Sequence, residues 1–404
     1  IASLLWEYYQ LAFQRRPEFM GWSQTEPTTK TNYTTLNHFY YGDEVQQRID
    51  RYQSLENTAS TIRRKIPPND QAAFYQLVYY PVRGASLINK KFLYRDKSYL
   101  YAQQQRQSAY DYAQLSKAVY DSIRLETDYY NNRLSGGKWK YMMSDQPRKL
   151  PVFLAPELPQ ININPSYSWG IAPEGWVKRD SSLVNDTEEY TLPRINPYHR
   201  QTYFIDIFLQ ENKILDWKAV VSAPWIKLSA AKGRLLPENG RRQKRLQVQV
   251  DWSKIVPKEI QSGHIRFSAA GRELTVKIQV GFPAMPNFKG FIENNGYISL
   301  QAAHYSRLQN QSGSQWETLP GIGYSGESLR AVSNVVTGTE PLTDSNLVKT
   351  NNAYVEYDFY TFNSANARLT VFSLPTHPLN NHFSMRYAVS LDNGPLQIID
   401  FKTI

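Results

Sequence analysis

The acidic side chains offer the first chemistry in this chain. Glu356 and Asp358 lie at i and i+2 in a run with alternating aromatics, Tyr354 to Tyr360. Hydrolysing a glycoside takes two carboxyls on opposite sides of the bond. An i, i+2 spacing on a strand puts both on one face. The pair therefore reads as an exposed strand face. Six histidines, His38, His199, His264, His304, His377 and His382, are scattered along the sequence. His377 and His382 with Asp392 have the donor types for a metal, but Pro375 and Pro378 make a turn the plainer reading. The loop Gly321-Ile322-Gly323-Tyr324-Ser325-Gly326 carries three glycines and one aromatic. The Tyr324 ring has two readings, stacking on a sugar face or folding onto its own domain. There is no G-x-S-x-G, no phosphate-cradling glycine loop and no H-E-x-x-H. No catalytic residue, metal ligand or cofactor is expected. Tyr324 is the single candidate substrate contact.

Composition sets further bounds. The 404 residues predict two to four domains, and 41% hydrophobic residues supply real cores. No run has the ~20 apolar residues of a membrane helix, so no membrane span is expected. With no cysteine, disulfides and thiolate metal sites are excluded. The net charge of +10 is concentrated early, with 21 Lys/Arg against 14 Asp/Glu up to Leu150. Such an excess steers acidic partners or forms a solvated face. The densest cluster, Arg241-Arg242-Gln243-Lys244-Arg245, follows Pro237-Glu238-Asn239-Gly240 and reads as a basic turn. No nucleic-acid motif accompanies it, and no nucleic-acid partner is expected.

Two halves of different hydrophobic grammar must position these residues. Ile1–Arg16 reads as a helix through Leu5, Tyr8, Tyr9 and Ala12; it has no cap, which predicts more chain before it. Asp43 is an N-cap for a helix with Val45, Ile49, Tyr52, Leu55, Ala59 and Ile62 on one face. The next helix carries Phe74, Leu77, Val78, Ala85, Ile88 and Phe92, with Pro81 expected to kink it. A helix from about Ser108 to Asn131 follows, through Tyr112, Leu115, Val119 and Ile123. Leu77, Ile88, Leu115 and Ile123 are expected in the core of an antiparallel bundle. Eighteen of the 29 tyrosines precede Leu150, and either line a sugar site or fill the bundle interface.

After Pro159 the period becomes two. Tyr203–Leu209, Leu246–Val250, Gly263–Ser268 and Leu274–Val280 read as strands of a small β-sandwich, with Trp217 and Trp225 as core aromatics. A second β unit is expected from Tyr297–Ala302, Ala353–Phe362, Arg368–Ser373, Met385–Leu391 and Gln397–Asp400, with turns at Asn295-Gly296 and Asn393-Gly394. Five or six strands fall short of the about eight such a sandwich uses, which predicts a truncated domain.

Specific stretches carry a resemblance. AAFYQLVYYPVRGASLINKKFLY (Ala72–Tyr94), GGKWKYMM and PRKLPVF (Gly136–Phe153) resemble the post-catalytic region of glycoside hydrolase family 115, the xylan α-1,2-glucuronidases. WEYYQLAFQRRPEFMGW (Trp6–Trp22) is similar to the last helix and exit of that family's catalytic barrel. SLQAAHYSR (Ser299–Arg307) and LPGIGYSGESL (Leu319–Leu329) resemble its C-terminal jelly-roll domain, and DWKAVVSAPWIKLSAAKG (Asp216–Gly233) resembles immunoglobulin-like modules of bacterial glycan-degrading proteins.

The resemblance implies a multidomain α-then-β chain. Residues 1–41 would be the remnant of the last barrel helix and a connection, 42–135 a helical bundle and 136–165 an extended connector. Residues 166–282 would form an immunoglobulin-like β-sandwich and 283–404 an incomplete jelly-roll-like β-sandwich. It also implies a homodimer, in which Tyr324 reaches a substrate pocket, and a secreted, periplasmic or cell-surface location in a bacterium. The family removes (4-O-methyl)-glucuronic acid side chains from xylan with inversion. Its carboxylates would belong to a barrel upstream of Ile1, the implied partner of this chain, so none is carried onto this sequence and the chain alone is expected to be inactive. The competing reading is a non-catalytic glycan-binding or surface protein built from similar modules.

Overall fold

The computed structural model describes residues 1–16, 20–21, 31, 33–176, 190–256, 259–281, 288–311, 313–323, 326–333, 352–362, 366–373 and 385–400. Helices come first and β-sheets follow. Contacts divide the chain into two compact units, Ile1–Pro286 and Asn287–Ile404.

The first unit begins with α1 (Ala2–Gln14), α2 (Glu44–Arg63), the short α3 (Gln71–Phe74), a π-helical turn Tyr75–Tyr79, α4 (Tyr80–Gln103) and α5 (Ser108–Asn132). Asp43 does cap α2, accepting from the Gln46 amide at 2.9 Å. Val45, Ile49, Tyr52, Leu55 and Ala59 are buried on one face, as their spacing predicts. Leu4 and Leu11 of α1 join Tyr52, Leu55, Phe74, Val78 and Val82 in one cluster.

Two expected core leucines are not core. Leu77 is 73% exposed and Leu115 43% exposed, while Ile88 and Ile123 are half-buried. The π turn explains Leu77: its wider winding brings Tyr75 and Val78 inward and rotates Leu77 out. That turn lies just before Pro81, which has no N–H for the Leu77 carbonyl, so the expected disturbance takes this form. On α5, small and polar side chains take the inner face. Ser108, Ala109 and Ser116 are buried, and the Ser116 hydroxyl donates to the Lys91 carbonyl of α4 at 2.6 Å. Close helix approach leaves Leu115 outside.

The same unit continues as β1 (Trp169–Pro173), β2 (Tyr190–Thr191), β3 (Tyr203–Leu209), β4 (Leu215–Val221), β5 (Ile226–Leu228), β6 (Lys232–Leu235), β7 (Gln243–Val250), β8 (Gln261–Ala269) and β9 (Arg272–Val280). One sheet runs β1-β3-β7-β5, the other β2-β9-β8-β4-β6. All described pairings are antiparallel except β2 with β9. Trp169, Ile171, Tyr203, Ile205 and Val248 of the first sheet share a core with Trp217, Trp225, Ile265, Phe267 and Ile278. β3 is buried along its whole length because both faces are covered. Its odd-numbered residues face the other sheet, and its even-numbered residues, Phe204, Asp206 and Phe208, face the opposite way, where Arg106 from the connection between α4 and α5 meets Asp206 and Phe208. Gly170 lies so close beneath Phe208 that a Cβ would come within 2.8 Å of its ring.

The second unit holds β10 (Phe291–Ile292), β11 (Arg307–Gln309), β12 (Ser314–Pro320), β13 (Glu327–Ser333), β14 (Tyr354–Glu356), β15 (Phe359–Tyr360), β16 (Arg386–Val389) and β17 (Gln397–Asp400), paired two by two. Several expectations fail here. Tyr297–Ala302 and Arg368–Ser373 form no strand, and Ala353–Phe362 breaks into β14 and β15. The β12–β13 hairpin replaces them; its strands mix charge and apolar residues and lack a clean alternation. Asn295-Gly296 turns as expected, both at positive φ, but the second turn sits on Asp392-Asn393, one residue early.

Candidate functional site

The carboxylate pair shares one arginine. Arg307 on β11 binds Glu356 through Nε and Asp358 through both terminal nitrogens, at 2.9 and 2.8 Å. These hydrogen bonds hold the Asp358 carboxyl below its ordinary range. Tyr324, His377 and His382 lie outside the described residues, so the substrate-contact expectation and the possible histidine metal site have no geometry here. Among the described residues no three His, Asp or Glu side chains gather as a metal site. Trp217 and Trp225 are core residues, buried as read.

The concentrated electrostatics lie instead between the helices and the first sheet, within the first unit. Asp43 accepts from Lys97 of α4 at 2.8 Å and from Arg245 of β7 at 2.9 Å. Arg245 also grips Asp206 of β3 at 2.7 and 3.0 Å, and Arg106 donates to Asp206 at 3.2 Å. The Arg106 guanidinium lies over Tyr101 and Phe208, 4.2 and 4.3 Å from their centroids. Burial pushes both aspartates up, but the cations win: Asp43 is held below its ordinary value and Asp206 is pulled to about 2. The basic turn is thus no solvated run, since Arg242 also binds Asp111 of α5. Main-chain bonds close the seam, with the Gln107 amide donating to the Leu209 carbonyl at 2.8 Å.

Two further buried groups sit near neutrality. Glu174, after β1, accepts from the amides of Gly42 at 2.9 Å and Phe204 at 3.3 Å. Burial outweighs those donors and raises it to about 7. Lys91 donates to the carbonyls of Val152 and Leu154, at 2.6 and 3.0 Å, and lies over the Phe92 and Tyr120 rings. Burial, then Arg95, lowers it to about 7. The sequence hid these ions because a lysine or arginine on a helix normally faces water. The signal available was their number on the apolar α4.

The arrangement is a set of buried ion pairs that ties the helices to the sheet, with Arg106 Nε and Arg242 Nε buried outside its hydrogen bonds. Among the described residues no helix is long and apolar enough to cross a membrane.

Comparison with known proteins adds a family. Residues 290–404 match the glycosyl hydrolase family 115 C-terminal domain. The chain is similar to the structure of BtGH115A, a family 115 4-O-methyl-α-glucuronidase with specificity for decorated arabinogalactans, at 20% identity and a TM-score of 0.33. That alignment covers 62% of this chain and 37% of the other, so this chain spans well under half of that enzyme. Smaller overlaps join it to the YadV chaperone, at 8% identity, TM-score 0.21, and 31% and 56% coverage. A PapD-like domain of human CEP192 matches at 10% identity, TM-score 0.20, and 33% and 97% coverage. No curated protein matches the chain.

Proposed function

Since the chain ends in a family 115 glycosyl hydrolase C-terminal domain, residues 290–404, we propose that it is the C-terminal accessory half of an α-glucuronidase. That enzyme removes (4-O-methyl)-glucuronic acid side chains from xylan. The chemistry resides in a catalytic barrel that precedes this chain, with α1 as the barrel's last helix. The paired sheets of the first unit act as an immunoglobulin-like module and the second unit as a jelly-roll-like one. The intact protein works outside the cytoplasm as a homodimer, with Tyr324 near a substrate pocket.

The observation that carries this reading is the family match of residues 290–404. The clamped Glu356 and Asp358 agree with it, because both carboxylates are engaged by one arginine. The full-length protein is to be incubated with glucuronoxylan while the anomeric protons of released uronic acid are followed by NMR. Release with inverted configuration is expected. No uronic acid, or release of neutral sugars alone, overturns the proposal.

A further inference from the structure

The outward face of the five-stranded sheet holds more positive charge than its ion pairs use. On β4 and β6 the register sets Asp216 opposite Arg234 and Lys218 opposite Lys232. The first pair closes as a two-pronged ion pair at 2.7 and 2.8 Å. The second sets two exposed lysines directly opposite each other, and among the described residues neither has a carboxylate partner. Across the sheet Lys218 faces Ser268, and Ser268 faces Glu273, whose carboxylate lies 3.9 Å from Arg266. Arg272 is engaged as well, donating to the Trp169 carbonyl at 3.0 Å with its guanidinium over Tyr167.

Like charges directly opposite on antiparallel strands destabilise the sheet. Lys218 and Lys232 therefore cost the fold something and give it no contact in return. Their position is also fixed: β6 lies flat against the Trp217 indole because Gly233 has no Cβ, which would stand 2.7 Å from that ring. Both lysines line an open depression of about 930 Å³, with Ser268 beside them. Trp217 under the depression is buried and offers no stacking face. Recognition here must run through charge.

We infer that Lys218 and Lys232 form a clamp for the carboxylates of an acidic glycan, with the Ser268 hydroxyl as an added donor. One anion between the two ammonium groups converts their repulsion into two attractions. The glycan part of this inference rests on the proposed function, since the uronate branches of xylan supply such carboxylates. The clamp would hold the polymer away from the reacting bond.

The test measures binding of the whole 404-residue chain to immobilised glucuronoxylan, to the same polymer after carboxyl reduction, and to polyglutamate. Binding to glucuronoxylan, its loss on reduction and weaker binding to polyglutamate are expected. The double variant Lys218→Gln, Lys232→Gln should bind roughly tenfold more weakly, the scale of two exposed charge pairs. Its melting temperature should be unchanged or higher, which separates lost binding from lost folding. Unchanged binding by the variant, or full binding to the reduced polymer, overturns the clamp. Equal binding to polyglutamate overturns the glycan assignment in favour of plain charge attraction. The outcome separates from the proposed function: a full-length enzyme active on glucuronoxylan with no binding here sinks only the clamp. Binding here by an enzyme inactive on that polymer sinks only the proposed activity.

Discussion

Single residues set the chemistry of the seam. Asp206 neutralises Arg245 and Arg106 while almost fully buried. Removing one partner of a buried ion pair leaves an uncompensated charge, which typically costs about 3–5 kcal/mol. Asp206→Ala should lose that much in urea unfolding; a loss below about 1 kcal/mol would show that water reaches the arginines. Glu174 and Lys91 give opposite pH limbs. A carboxyl raised from its ordinary 4.5 to about 7 binds protons more tightly when folded, so its contribution falls as pH rises through that window. A lysine lowered from 10.5 to about 7 binds protons less tightly when folded, so stability recovers as pH rises from 7 towards 10.5. Glu174→Gln should remove the descending limb and Lys91→Met the ascending one, each on the order of 3–5 kcal/mol at most. Parallel curves for either variant and the parent would contradict the assignment.

At the scale of elements, the sequence was most legible where one face is wet. The alternation of β7, β8 and β9, and the 3–4 spacing of α2, follow directly from one-sided burial. Legibility failed where burial is polar. α4 buries Lys90, Lys91, Arg95 and Lys97, which a hydrophobic pattern counts as solvent. The inner face of α5 is built from Ser108, Ala109, Asp111, Ser116, Tyr120, Thr127 and Tyr130, so a search for leucines selects the wrong side. The π turn before Pro81 carries Leu77 outward, while Phe74, Val78, Ala85 and Phe92 keep the buried side their spacing predicts. Leu115→Ala should therefore change stability by less than about 0.5 kcal/mol, whereas Phe92→Ala should cost about 3–5 kcal/mol. Equal costs in thermal unfolding would mean that the inner faces are misassigned. Of the candidate site, the spacing of Glu356 and Asp358 on one strand was legible; the Arg307 clamp that binds them, 49 and 51 residues away, leaves no local pattern.

For the whole molecule, the charge excess of the helical half is partly internal. Lys97, Arg106 and Arg95 sit in ion pairs with Asp43, Asp206 and Asp96 and do not face a nucleic acid. The chain is helical first and β after, and residues 290–404 match the family 115 C-terminal domain; the proposed function places the acid and base outside it. The most direct measurement is uronic acid released from glucuronoxylo-oligosaccharides by residues 1–404 alone, set beside the full-length protein at equal molar concentration. Release by the full-length protein and none by the chain above a heat-denatured control is the predicted result. Uronic acid freed by the chain alone would contradict the account.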